Sequence, residues 1–291
     1  MKPRKPAPTP RRIPQVKRMT ICIGMTARDG VVIAADAQES DQYYKRSQQK
    51  ILPFVGNISS DANAPPPQMG CAFTGAGEAG YLDAFFAYAL EGIRVDATQA
   101  DFKKFLAEKV RTFHEKHLFP LAVAPNPPEI SILVGAYVQF STGIFVSHGS
   151  TLRRALPHTA VGAGAHFAMS LMDDLGGIHD LRHTELLAAY VVGLTKERIE
   201  GCGNYTAIAS ISGPKIVNDL PDGRSRLVPP SNPLSLVPYR KIRKWEQSFG
   251  EHWAPRQVKL LEDLAEEELA DDLRLEQTSD SALLQEGQPR S

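Results

Sequence analysis

The chain has 291 residues, 42% of them aliphatic, aromatic or Cys, enough for a sizeable core. Its 33 Lys+Arg balance 33 Asp+Glu, so no net charge draws it to nucleic acid or to an anionic membrane. Cys22, Cys71 and Cys202 lack CxxC spacing, which argues against a disulfide framework or a structural zinc and for a reducing, cytoplasmic setting; no run of 18 apolar residues offers a membrane helix.

The charge is unevenly placed. Residues 1–18 hold seven Lys/Arg, five Pro and no acid, which predicts a disordered basic leader over 1–19 rather than a secretory signal. Residues 20–27 (TICIGMTA) then alternate with a strand period, Ile21, Ile23 and Met25 on one face and Thr20, Cys22, Gly24 and Thr26 on the other. Asp29-Gly30 is a turn dipeptide, and 31–36 (VVIAAD) reads as a strand buried on both faces. A short strand covers 50–54, and 56–68 is a loop by composition. Residues 70–76 run as a strand into a Gly-rich turn.

Helices are predicted over 78–92 and 99–119, the second capped by Asp101. Strands follow at 130–137 and 142–147, helices at 164–175 and 184–199, and a strand at 204–212. Runs of one element type argue for an α+β fold in which two antiparallel sheets carry helices outside. The predicted division is a leader over 1–19, a main domain over 20–212, an extension over 213–276 with helices at 240–249 and 255–276, and a disordered acidic tail over 277–291. Trp245, Phe249 and Trp253 are expected to anchor the extension.

The strings Thr20-Ile-Cys-Ile-Gly24 and Asp29-Gly-Val-Val-Ile-Ala-Ala-Asp36 resemble the opening of proteasome β subunits and of their bacterial heat-shock relative. Lys50-Ile51, Phe73-Thr-Gly-Ala-Gly77, Ser131-Ile-Leu-Val-Gly135 and Val161-Gly-Ala-Gly164 follow in the same order. The resemblance covers about residues 20–212 and implies a four-layer αββα sandwich of the N-terminal-nucleophile (Ntn) hydrolases. It implies a threonine endopeptidase with Thr20 as nucleophile, Asp36 as carboxylate, Lys50 as the charged neighbour and the Gly75 N–H as oxyanion donor. Phe73 would line the substrate pocket, with Gly77 beside it. The implied substrate is a peptide or unfolded polypeptide, the implied partners further copies of the chain in a ring or stack, with room for an ATPase. No cofactor or metal is implied.

The residue types suit that chemistry. A Thr hydroxyl needs a base, and its own α-amine, with an unperturbed pKa near 8, serves when Thr is the first residue. A neighbouring ammonium lowers the cost of the alkoxide, and a backbone N–H stabilises the tetrahedral oxyanion. On the sequence, bringing Asp36 to the face of Thr20 demands a bulged or three-residue turn at Asp29-Gly30. The chain departs from the family at Ala163, where a serine is usual, and over 197–203, where an Asp and a Ser are usual. Met19 precedes Thr20: translation beginning at Met19 would yield Met-Thr, from which a methionine aminopeptidase would free the threonine. A catalytically silent structural subunit and an Ntn amidase acting on a small amide remain as alternatives. His114 and His117 are expected to be solvated, and Cys22 to be a buried small residue.

Overall fold

The computed structural model describes residues 20–40, 45–47, 49–56, 69–94, 97–217 and 226–251. Its strands are β1 (Ile21–Ala27), β2 (Gly30–Asp36), β3 (Gln38–Ser40), β4 (Lys45–Ser47), β5 (Leu52–Gly56), β6 (Met69–Gly77), β7 (Ile130–Val138), β8 (Ser141–His148), β9 (Thr151–Ala155), β10 (His158–Gly162), β11 (Thr206–Ser212), β12 (Lys215–Val217), β13 (Arg226–Val228) and β14 (Leu234–Leu236). Its α-helices are α1 (Ala79–Leu90), α2 (Gln99–Phe113), α3 (Ala165–Leu175), α4 (Leu181–Arg198) and α5 (Tyr239–Glu251). Two five-stranded antiparallel sheets have the orders β10-β1-β2-β11-β14 and β5-β6-β7-β8-β9.

Strand alternation decides the layers. Ile21, Ile23, Val32, Ala34 and Ile208 pack beneath α3 and α4, whereas Cys22, Val31, Ile33, Ala35 and Ala209 face the second sheet. In β6, Met69, Cys71 and Phe73 turn toward α1 and α2, and Ala72 and Ala76 turn inward. The chain is therefore α+β, with two facing sheets between helical layers. Every residue of β2 is buried, as its unbroken apolar run predicts.

Local chemistry sets the helix ends. Thr98, not Asp101, is the N-cap of α2: its hydroxyl accepts the Asp101 N–H at 3.2 Å, and the Thr98 N–H donates to Asp101 Oδ2 at 3.3 Å. Such a box contributes about 1 kcal/mol. The helix expected over 99–119 breaks at its end into a π turn, His114–Leu118, and a 3₁₀ turn, Phe119–Leu121. That turn swings His114 into the core, correcting the expectation that it is solvated, and burial holds its imidazole below the usual pKa.

The β1–β2 hairpin also differs from expectation. Ala27 pairs with Gly30, so the loop is the two residues Arg28–Asp29, one position earlier than Asp29-Gly30. Gly30 serves packing instead: a Cβ there would lie 2.3 Å from the Ile211 carbonyl oxygen on β11.

The extension is built into the sandwich. β14 pairs with β11 at the edge of the first sheet, and α5 buries Ile242 and Trp245 against the α4 layer. Phe249 is half-buried, its ring 5.5 Å from that of Tyr190. Trp253, the helix expected over 255–276, the leader 1–19 and the tail 277–291 lie outside the described residues. The helices predicted over 78–92 and 184–199 bury most of their apolar surface within the chain. Leu82, Phe85, Phe86 and Ala89 of α1 and Leu186, Leu187, Ala188, Ala189, Val191 and Val192 of α4 all lie in the core.

Candidate active site

Thr20 stands one residue before β1, Asp36 ends β2, and Lys50 precedes β5. Three separate strand ends thus bring one hydroxyl, one carboxylate and one ammonium together. The Thr20 hydroxyl donates to Asp36 Oδ1 at 2.5 Å. The Lys50 ammonium donates to the same Oδ1 at 2.7 Å and also to the Thr20 hydroxyl oxygen. Asp36 is 0% exposed, and the Lys50 side chain 14%. A carboxylate so deeply buried requires charge-assisted donors, and this one has four. The other two are backbone: Ile21 N–H to Oδ1 at 3.2 Å and Gly203 N–H to Oδ2 at 3.0 Å.

The contact does not arise as expected. With Cys22 opposite Ala35, the pleat puts Asp36 on the helix-facing side with Val32 and Ala34, and Thr20 on the inner side with Cys22. No bulged turn restores the parity. The carboxylate instead wraps the end of β1, taking the Ile21 N–H on its way to the Thr20 hydroxyl. The face rule governs strand interiors, and both residues stand at strand ends.

Backbone from two later segments closes on this centre. Gly162 pairs with Ile21, with φ +103° and a would-be Cβ 2.2 Å from the Thr20 carbonyl oxygen, so only glycine fits. The Gly164 N–H approaches that oxygen at 3.4 Å. Ala163 between them is exposed. Gln38 donates through Nε2 to the Gly201 carbonyl at 3.0 Å, bracing the segment that presents Gly203. The sequence offered no signal for Gly203: its contribution is a backbone N–H, 167 residues from its partner.

Gly75 lies opposite Ile132 in the β6–β7 ladder. Ile132 spends its N–H on the Ser147 hydroxyl, at 2.8 Å on the β8 side. Gly75 therefore turns its own N–H and C=O away from β7, toward the edge at which β5 starts. Its carbonyl there accepts the Cys22 thiol at 3.1 Å, while Thr74 donates to that sulfur at 3.3 Å. Burial pushes the Cys22 thiol up to about 11, the opposite of what a sulfur nucleophile needs.

Two expectations fail or lose their force. Phe73 cannot wall a pocket at Thr20: it is 0% exposed and packs on Phe86, ring centroids 6.1 Å apart, in the layer beneath α1. Alternation aims Thr74, not Phe73, at the inner face. Gly77 has a backbone reason for being glycine, with φ +121° and the Glu129 carbonyl oxygen 2.0 Å from a would-be Cβ. Among the described residues no cluster of three or more His, Cys, Asp or Glu could hold a metal ion, and no helix is long and apolar enough to cross a membrane.

No protein-family model and no curated protein sequence matches the chain. Its fold is similar to solved structures of Anbu, an ancestral β-subunit. The protein from Yersinia bercovieri aligns with TM-score 0.58 and 12% identity, over 80% of this chain and 94% of that one. A Gly-1 mutant of Anbu from Hyphomicrobium sp. strain MC1 aligns with TM-score 0.56 and 12% identity, over 80% and 95%. Anbu from Pseudomonas aeruginosa, solved as a helical assembly, aligns with TM-score 0.56 and 14% identity, over 82% and 100%. These findings correct the resemblance to proteasome β subunits and their bacterial heat-shock relative. The residues that carried it build β1, β2, β6, β7, the approach to β5 and the turn after β10, so they report a fold and not a branch of it; the likeness is to Anbu, at identities that establish the proteasome-like fold alone.

Proposed function

We propose that the chain is an N-terminal-threonine hydrolase that cleaves peptide bonds. One observation carries this reading: the Thr20 hydroxyl lies between the Lys50 ammonium and the Asp36 carboxylate, on the residue just before strand β1. The chemistry follows from those groups. Once Thr20 is the first residue, its α-amine takes the hydroxyl proton as the oxygen attacks the substrate carbonyl. Lys50 offsets the charge developing on that oxygen, and Asp36 orients Lys50. The N–H of Gly75, turned toward the start of β5, is assigned to the tetrahedral oxyanion. The ammonium of Thr20 then protonates the leaving nitrogen, the C–N bond breaks, and an ester to Thr20 remains. The amine then takes a proton from water as that water attacks the ester carbonyl, and passes it to the departing Thr20 oxygen, releasing the acid and restoring the hydroxyl.

The reading is supported by the buried arrangement and by the fold shared with an ancestral β-subunit. Self-association belongs to the same reading, supported by the helical assembly of the Pseudomonas relative. Light scattering at micromolar concentration should give a particle of several copies.

The test compares two forms of the protein on a fluorogenic peptide amide. A chain beginning at Thr20 should turn the peptide over; the same chain with Thr20 preceded by a retained Met19 should lose at least about 10³-fold, since its base is then an amide. Equal rates for the two would refute the mechanism.

A further inference from the structure

A second polar cluster lies on the helix-facing side of the same sheet. Lys196 of α4 donates to the Asn204 carbonyl at 3.0 Å, the Thr206 hydroxyl at 2.8 Å and Glu246 Oε1 at 2.5 Å. Three partners occupy all three ammonium hydrogens. Thr206 also donates to Glu246 Oε1, at 2.5 Å. The Lys196 and Glu246 side chains are only 12% and 22% exposed. Glu246 lies on α5, beyond the main domain expected from the sequence.

The cluster grips the segment that serves the active-site carboxylate. Gly203 donates its N–H to Asp36 Oδ2, and Asn204, the next residue, gives its carbonyl to Lys196. Asn204 holds φ +61°, a left-handed turn conformation that asparagine tolerates. Thr206 stands directly opposite Asp36 in the β2–β11 register. A cavity of about 350 Å³ opens against Lys196, Gly203, Asn204 and Glu246, so on that side hydrogen bonds hold the segment; on the other, Gln38 lies against Gly203 and the Tyr205 ring meets that of Tyr239.

We propose that Lys196 and Glu246 are positioning residues for the hydrolytic reaction. They lock residues 203–206 so that the Gly203 N–H fixes Asp36, and Asp36 in turn aims Lys50 at Thr20. The helix α5 is thereby part of the catalytic unit, not an appendage. This inference rests on the Thr20 reading for its catalytic consequence, but its structural half can be measured without activity.

Amide hydrogen exchange on the full chain tests that half. Lys196→Met should speed exchange of the Gly203 amide at least about tenfold while the interior amides of β7 keep their rates. Glu246→Gln, an isosteric change that retains an acceptor, should give a smaller increase. Unchanged Gly203 exchange in both variants would overturn the proposal. If Lys196→Met loses protection in β7 as well, the Glu246→Gln result decides. The kinetic half uses the chain beginning at Thr20: Lys196→Met should lower kcat about tenfold to a hundredfold, with KM within twofold. Glu246→Gln should lie between it and the parent. A raised KM at unchanged kcat would contradict a positioning role. No turnover by the parent chain would defeat the Thr20 reading instead, leaving hydrogen exchange to decide the proposal.

Discussion

The molecule contains the same three functional groups twice: a threonine hydroxyl, a lysine ammonium and a carboxylate. Thr20, Lys50 and Asp36 meet at one place; Thr206, Lys196 and Glu246 meet at another. In both, a lysine donates to a threonine hydroxyl and to a carboxylate that accepts that hydroxyl. The difference is chain position. Thr20 precedes its strand and can present an α-amine once the peptide bond before it is gone. Thr206 begins β11 with its backbone already paired in the β2 ladder, opposite Asp36. Its hydroxyl has an ammonium and a carboxylate but no base of its own to be uncovered. A Thr–Lys–acid trio therefore does not define a nucleophile; the amine does.

The largest expected effect separates the two threonines. Thr20→Val should abolish peptide turnover, by at least about 10³-fold, because the attacking oxygen is gone. Thr206→Val should retain measurable turnover, reduced through the Asn204–Gly203 segment alone. Steady-state kinetics on the two variants checks this, and comparable losses would erase the distinction.

The next effect concerns stability. Lys50→Ala leaves the 0% exposed Asp36 carboxylate without its counter-charge and should cost about 3–5 kcal/mol in urea unfolding. Lys196→Ala should cost less, about 1–2 kcal/mol, because Glu246 is 22% exposed and water reaches it. The reverse order would show that the second cluster is the more deeply desolvated.

A smaller effect tests which heteroatom near Asp36 is reactive. Burial raises the thiol of Cys22 to about 11 and that of Cys202 to about 12, and it raises Cys71 as well. Raised values keep these groups as thiols at neutral pH, so folded protein should resist iodoacetamide at pH 8 and react only as the pH approaches 11. Mass spectrometry reads the adducts. Prompt alkylation of Cys22 at pH 8 would place a second nucleophile beside Thr20.

Much of this was legible in the sequence, for a physical reason. β1, β2, β6 and β7 are central or fully buried strands, and their apolar runs are long enough to read. Thr20 and Asp36 sit at the ends of such strands, so locating the strands located those two residues; Lys50 precedes the edge strand β5. Of the strands left unread, β9, β10 and β14 lie at sheet edges, where half the pattern is solvated, Arg153 and Arg154 interrupting β9, and β3, β4, β12 and β13 are three-residue strands of two-stranded sheets, too short to show a period. The hairpin register was misjudged because Asp29-Gly30 looks like a turn pair, whereas Gly30 answers to the Ile211 carbonyl on a strand far along the chain. Phe73 was assigned to a pocket by its position in a motif, and alternation along β6 turned it to the other side. Gly203, Lys196 and Glu246 escaped altogether. A backbone amide has no sequence signature, and the Lys196–Glu246 pair spans 50 residues and two helices.

The most direct measurement is covalent capture of the nucleophile. The chain beginning at Thr20 is treated with a peptide β-lactone, which acylates an activated hydroxyl, then digested and mapped by mass spectrometry. One ester adduct on Thr20, formed in step with the loss of peptide turnover, is the predicted result. An adduct on Cys22 or Thr206 that tracks the loss of activity, or full turnover with Thr20 unmodified, would contradict the account.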